Sequence, residues 1–171
     1  MSEIVIERAT LAETDLLIEI HEDVARWLWS RGIRQWEPGT FPRERLIACI
    51  ERGEVYLVRL DDVPVGMAIL QEADEYTWGA RLDDALYLHG LRVLRAYAGR
   101  GIGRAILRWA EEQVTTRGRI YLRLDCMADN AKLRAYYEDA GFRCVGEKAW
   151  EDDPSWRSSL HEKRVAVRQA E

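Results

Sequence analysis

Ala85-Leu86-Tyr87-Leu88-His89-Gly90-Leu91-Arg92-Val93, followed by Leu94-Arg95-Ala96-Tyr97-Ala98-Gly99-Arg100-Gly101-Ile102-Gly103, is the stretch that decides how this chain folds. Its first nine residues predict a strand, with Tyr87, His89, Leu91 and Val93 on one face and Leu86, Leu88, Gly90 and Arg92 on the other. After the glycines, Ile102, Ala105, Ile106, Trp109, Ala110, Gln113 and Val114 recur at helical spacing. A strand running through glycines into a helix leaves free amide N–H groups at the helix start, where the helix dipole favours negative charge. Glycines at 99, 101 and 103 keep side chains out of a phosphate's way, and Arg100 and Arg104 add positive charge. The stretch therefore reads as an anion site or as a plain strand-to-helix turn. A Walker loop is a poor match, because Gly103 is followed by Arg104-Ala105 rather than Lys-Ser/Thr. A dinucleotide fingerprint is equally poor, because the spacing is Gly-x-Gly-x-Gly and comes late in the chain.

Working outward, Ile4 to Ala9 predicts an opening strand. A helix follows with Leu17, Ile20, Val24, Trp27 and Leu28 on its apolar face, Thr10 or Thr14 as its cap, and a stop near Gly32. Ile33 to Thr40 predicts a loop and Arg43 to Arg52 a second helix opened by Pro42. Val55–Leu60 and Val65–Gln71 predict a hairpin turning at Asp61-Asp62. Glu72 to Asp84 lacks pattern and is expected to be a loop. Beyond the glycines come a strand at 120–127, a helix at Ala131–Asp139 stopped by Gly141, and closing strands at 142–150 and 161–167. This order implies a mixed sheet with helices packed on it, an α/β or α+β fold in one domain covering residues 1–171.

With 171 residues, 47% hydrophobic and 32% charged, the composition is that of a soluble globular protein. No apolar run reaches the roughly 20 residues that span a bilayer. No signal peptide is visible at Met1-Ser2-Glu3-Ile4, so a cytoplasmic protein is expected. Net charge is −5 with no basic stripe, which disfavours nucleic acid. Cys49, Cys126 and Cys144 are odd in number and widely spaced, arguing against disulfides and a zinc site; each is expected to be a small buried apolar residue. His21 and His161 are expected on helix and strand surfaces.

Two segments resemble the GNAT family of N-acetyltransferases. Leu91-Arg92-Val93 with Tyr97-Ala98-Gly99-Arg100-Gly101-Ile102-Gly103-Arg104-Ala105-Ile106-Leu107 is similar to the family's acetyl-coenzyme A signature, Arg/Gln-x-x-Gly-x-Gly/Ala. Asn130-Ala131-Lys132-Leu133-Arg134-Ala135-Tyr136-Tyr137-Glu138-Asp139-Ala140-Gly141-Phe142 is similar to its Asn-x-x-Ala/Leu-x-x-x-Tyr-x-x-x-Gly-Phe segment. The resemblance implies a mixed, mostly antiparallel twisted sheet flanked by about four helices, and transfer of an acetyl group from acetyl-coenzyme A to a primary amine in a ternary complex, without a metal. One departure is that Ala98 stands where the signature has Arg or Gln, leaving the pyrophosphate to backbone amides and neighbours such as Arg95 or Arg100.

By resemblance, Leu91, Arg92 and Val93 lend backbone groups to the pantetheine arm and acetyl carbonyl. Gly99, Arg100, Gly101, Ile102, Gly103 and Arg104 cradle the pyrophosphate, and Asn130 hydrogen-bonds the cofactor arm. Tyr137 matches the tyrosine that protonates the departing thiolate. The attacking amine must lose a proton; His89, two residues before Leu91, is the candidate base, with a core histidine as the other reading. The family builds its acceptor site largely from the first two helices and their connecting loop, so Gln35 and Trp36 are candidate substrate-binding residues. Position also allows Glu54, Asp83 or Asp84 to meet a cationic amine. The acceptor stays open among small molecules, peptide termini and protein lysines. Two other readings stay open, a non-catalytic acyl-coenzyme A sensor and an interaction domain using exposed aromatics; homodimers are common in the family.

Overall fold

The computed structural model describes residues 3–82 and 84–165. In chain order the elements are β1 (Ile4–Arg8), a 3-10 turn (Leu11–Glu13), α1 (Thr14–Ser30), α2 (Arg43–Glu51), β2 (Val55–Leu60), β3 (Val63–Gln71) and α3 (Glu75–Trp78). They continue with β4 (Ala85–Val93), a second 3-10 turn (Arg95–Tyr97), α4 (Ile102–Thr116), β5 (Tyr121–Met127), α5 (Ala131–Asp139), β6 (Arg143–Ala149) and β7 (Arg157–Arg164). The strands form one 7-stranded sheet in the order β1-β2-β3-β4-β5-β7-β6. β1–β2, β2–β3, β5–β7 and β6–β7 are antiparallel. β4 and β5 are parallel and pair at Ala85–Tyr87 with Tyr121–Arg123; β5 runs on to Met127 beyond the last pair. The mixed sheet with helices on it is what the element order implies, and its mostly antiparallel form is what the family resemblance implies.

Local chemistry explains the joints. Asp61 (φ 49°) and Asp62 (φ 66°) are both left-handed, the conformation a two-residue hairpin turn requires. Neither Thr10 nor Thr14 caps α1 through its side chain. The Glu13 carboxylate instead reaches back to accept the Thr10 N–H at 2.8 Å, while the Thr14 hydroxyl donates to the Leu11 carbonyl. Gly66 is required by close approach, because a Cβ there would lie 2.5 Å from the Arg92 carbonyl oxygen. Gly90 at φ +57° interrupts the pleat of β4, so the strict alternation expected from 85 to 93 does not run through it.

The chain divides into two compact units, Met1–Leu70 with Gly90–Trp109, and Gln71–His89 with Ala110–Glu171. In the first, α1, α2, β2 and β3 bury Leu17, Ile20, Leu46, Cys49, Ile50, Val55, Leu57 and Met67 against one another. Each such side chain contributes about 1.5–3 kcal/mol when fully buried. The second unit packs Trp78, Ala85, Tyr87 and Leu160, with Tyr121 against them. Arg123 is also buried there and fully matched: it donates to Glu162 at 2.8 Å, Asp84 at 3.2 Å and the Tyr87 hydroxyl at 3.0 Å. No helix among the described residues is long and apolar enough to cross a membrane.

Several expectations need correction. The segment from Glu72 to Asp84 contains α3, whose first turn is capped by Asp74 accepting the Thr77 N–H at 3.0 Å. β7 begins at Arg157, not His161. Its first residues were hard to read as a strand because buried Ser158 and Ser159 replace apolar ones, accepting from Trp150 Nε1 and bonding to His161 Nε2 respectively. His21 and His161 are buried, not on surfaces, and Cys144 is exposed, while Cys49 and Cys126 are buried as expected. Asp83 and the end of the expected last strand, 166–167, lie outside the described residues.

Candidate active site

In the first unit, the 3-10 turn at Arg95–Tyr97 closes with Ala98 N donating to the Arg95 carbonyl. Ala98 is extended, and Gly99 and Gly101 both take φ +77° with nothing within 4 Å of an added Cβ. Conformation rather than crowding is what demands glycine at these two positions. The first bond entering α4 is Ala105 N to the Gly101 carbonyl, so the amides just before it sit at the orphaned N-terminal end of a 15-residue helix. Residues 98–101 are exposed, and the Arg100 guanidinium lies 5.0 Å from the Tyr97 ring centroid. Arg95 stacks at 3.6 Å on Trp27, and its amide donates to Asp23.

Leu91 and Val93 are half-buried, whereas Arg92 is only 5% exposed. The Arg92 guanidinium lies 4.2 Å from the Trp36 ring centroid and 5.4 Å from that of Phe41, and its Nη1 donates to the Gly90 carbonyl at 2.9 Å. Its Nε has no partner. Burial lowers the arginine to about 9. His21 stacks on the same two rings, 4.1 Å from Phe41 and 5.3 Å from Trp36, with Nδ1 unpartnered. Burial first, then the charge of Arg92, lowers its pKa to about 3, so it is neutral at physiological pH. Trp36 is thus a stacking wall for a buried cation; Gln35 is half-buried beside it. The loop is tied to α1 by the Gly39 N–H, which donates to both oxygens of Glu22.

In the second unit His89 is half-buried between two carboxylates. Its Nε2 lies 3.2 Å from Asp74 Oδ2, off the line of a hydrogen bond, and its Nδ1 lies 3.9 Å from Asp125 Oδ1. Burial works to raise Asp74, but contacts with His89 and Thr77 outweigh it and hold the carboxyl below its ordinary range. For Asp125 burial wins over the opposing histidine, and its pKa is raised. One ligand atom from each of Asp74, His89 and Asp125 lies within 4.8 Å of the others, a donor set a cation could also use. The two ring nitrogens, however, face different carboxylates, which suits proton handling better than one shared ion.

Tyr137 is buried on α5, 6.0 Å by ring centroids from both Phe142 and His161, and burial raises its pKa. Cys126, nearby in electrostatic terms, is pushed up to about 12 by burial, which disarms it as a nucleophile. Asn130 caps α5, its Oδ1 accepting the Leu133 N–H at 3.1 Å. Of the carboxylates considered for a cationic amine, Glu54 is held by Arg52 and Asp84 by Arg123.

A family model for acetyltransferases of the GNAT family matches residues 21–142. The uncharacterized N-acetyltransferase YesJ of Bacillus subtilis is 32% identical over 133 residues, 73% of this chain and 73% of YesJ. The chain belongs to the GNAT acetyltransferase family. Among solved structures, a GNAT-family acetyltransferase from Listeria monocytogenes superposes with a TM-score of 0.79 at 26% identity, covering 95% of each chain. The PaiA N-acetyltransferase of Thermoplasma acidophilum, solved in complex with coenzyme A, shares the fold at 20% identity, with a TM-score of 0.71 and coverage of 95% and 99%. Asp74, Asp125 and His21 stand at the candidate site of this GNAT chain although the sequence pattern does not single them out. Asp74 had a signal in Asp74-Glu75-Tyr76-Thr77, a helix-capping pattern, and Asp125 had one in the polar face Arg123/Asp125 of an otherwise apolar strand.

Proposed function

We propose that this GNAT protein transfers an acetyl group from acetyl-coenzyme A to a primary amine by direct attack in a ternary complex, within one functional domain. The observation that carries the reading is the pair of left-handed glycines, Gly99 and Gly101, opening α4. They leave consecutive amides at a helix N-terminus beside open space, which suits a pyrophosphate. Ala98 supplies no side-chain contact to it, so the Arg100 and Arg104 side chains are assigned the remaining charge.

His89 takes a proton from the attacking ammonium, with Asp74 beside its ring to orient it. The freed amine attacks the thioester carbonyl carbon; the C–N bond forms, the C–S bond breaks, and the acetyl group leaves on nitrogen. Main-chain groups of Leu91, Arg92 and Val93 hold the acetyl end, and Asn130 contacts the cofactor arm. Tyr137, kept protonated by burial, donates its O–H proton to the departing sulfur, and the second proton, shed by the nitrogen as the neutral amide forms, returns the phenolate to its O–H form. Gln35 and Trp36 belong to the acceptor side. The test is thiol release from acetyl-coenzyme A across a panel of amines. Acetylated product with stoichiometric free thiol supports the reading. Tight coenzyme A binding with no transfer to any amine would instead make the protein a sensor.

A further inference from the structure

We propose that Arg92, enclosed by Trp36, Phe41 and His21, is the anchor for a carboxylate on the acceptor, so that the preferred substrate is an amine that also carries an anionic group. This rests on the transferase reading above and narrows its substrate class.

The two buried arginines among the described residues make the case by contrast. Arg92 and Arg123 are each 5% exposed. Arg123 is matched by Glu162, Asp84 and the Tyr87 hydroxyl. Arg92 has no carboxylate within ion-pair distance among the described residues; its one hydrogen bond goes to a carbonyl, and its Nε is unpartnered. Burying a guanidinium without a counter-charge is costly, and stacking on aromatic faces offsets only part of that cost. The neighbouring acids do not relieve it: Glu22 holds the Gly39 amide and Arg26, and Asp23 holds the Arg95 amide. His21 cannot help either, because it is neutral and its Nδ1 is itself unpartnered. Two buried, unsatisfied nitrogens from different elements, Arg92 Nε on β4 and His21 Nδ1 on α1, thus lie around the same pair of rings.

A carboxylate fits this set. Arg presents donors in a planar fork that matches two carboxylate oxygens, and the aromatic walls keep water from competing. The anion belongs to the acceptor because Arg92 stands in the chain between Leu91 and Val93, the residues assigned to the acetyl end. Trp36, which stacks on Arg92, lies in the loop assigned to the acceptor.

The experiment compares matched amines that differ only in a carboxylate against a carboxamide, for example amino acids against their amides, at saturating acetyl-coenzyme A. The wild type is expected to favour the carboxylate member about tenfold or more in kcat/KM, chiefly through KM, since a hydrogen bond to a charged group is worth that much. In Arg92→Gln the preference collapses toward unity, and in Arg92→Lys part of it returns. The ratio is internal to each preparation, so partial loss of folded protein cancels. Equal use of both members by the wild type, or a preference that survives Arg92→Gln, overturns the anchor while leaving the transferase standing. Transfer to no amine at all overturns both.

Discussion

At His89 the two ring nitrogens face different carboxylates, Asp74 at 3.2 Å and Asp125 at 3.9 Å. His89→Gln should lower kcat at least a hundredfold, the scale of a lost general base, with coenzyme A affinity by calorimetry little changed. Asp74→Asn keeps the α3 cap, because asparagine caps as well as aspartate. It removes the charge that faces Nε2 at 3.2 Å, so kcat should fall while coenzyme A affinity stays unchanged. A purely structural role for Asp74 would lower the melting temperature and leave kcat per folded molecule unchanged. His21 answers to a different measurement. Unfolded, it takes up a proton near pH 6.5; folded, not until about 3. As pH falls from about 6.5 towards 3 the unfolded state binds the extra proton, so this group withdraws up to about 1.4 kcal/mol of stability per pH unit. His21→Gln, which cannot titrate, should flatten urea-midpoint curves in that window relative to wild type. Parallel curves would remove His21 from the acid response.

At the scale of elements, α5 separates two jobs for one residue. Asn130 caps the helix through Oδ1, and Asn130→Ala should cost about 1 kcal/mol in stability. Asn130→Asp keeps the capping oxygen and loses the Nδ2 donor. If that donor contacts the cofactor arm, KM for acetyl-coenzyme A rises about fivefold with the melting temperature held, the scale of one neutral hydrogen bond. An unchanged KM would leave Asn130 as a cap alone. The elements legible in the sequence were those with one dominant period: α1 buries Leu17, Ile20 and Leu28, and α4 buries Ile102, Ile106, Ala110 and Val114, as their spacing predicts. The glycine loop was legible because positive φ leaves a chemical mark that spacing does not. What escaped had polar residues inside. The start of β7 is built on buried serines, α3 is a single turn held by its cap, and His21 and His161 are buried through aromatic and hydroxyl contacts made by residues distant in sequence or hidden in an unpatterned strand. The same reason hid the pairing of His89 with Asp74, 15 residues away in a stretch read as loop.

Across the whole molecule, among the described residues each compact unit carries one buried arginine, and the two should behave oppositely when replaced. Arg123 is compensated, and Arg123→Met strands Asp84, leaves Glu162 only the exposed Arg143 at 3.6 Å, and takes the donor from the Tyr87 hydroxyl. Breaking a buried pair in this way costs about 3–5 kcal/mol. Arg92→Met removes a charge that no carboxylate repays and substitutes a flexible apolar chain between Trp36 and Phe41. The lost stacking and the regained solvation energy oppose each other, so the variant should unfold at the wild-type temperature or above it. Thermal melts of the two variants in the same buffer decide the matter. A Tm drop for Arg92→Met comparable to that for Arg123→Met would mean that Arg92 is a structural strut. A flat or raised Tm, together with loss of carboxylate preference, means that the fold carries this charge at a cost in stability for the sake of what it binds.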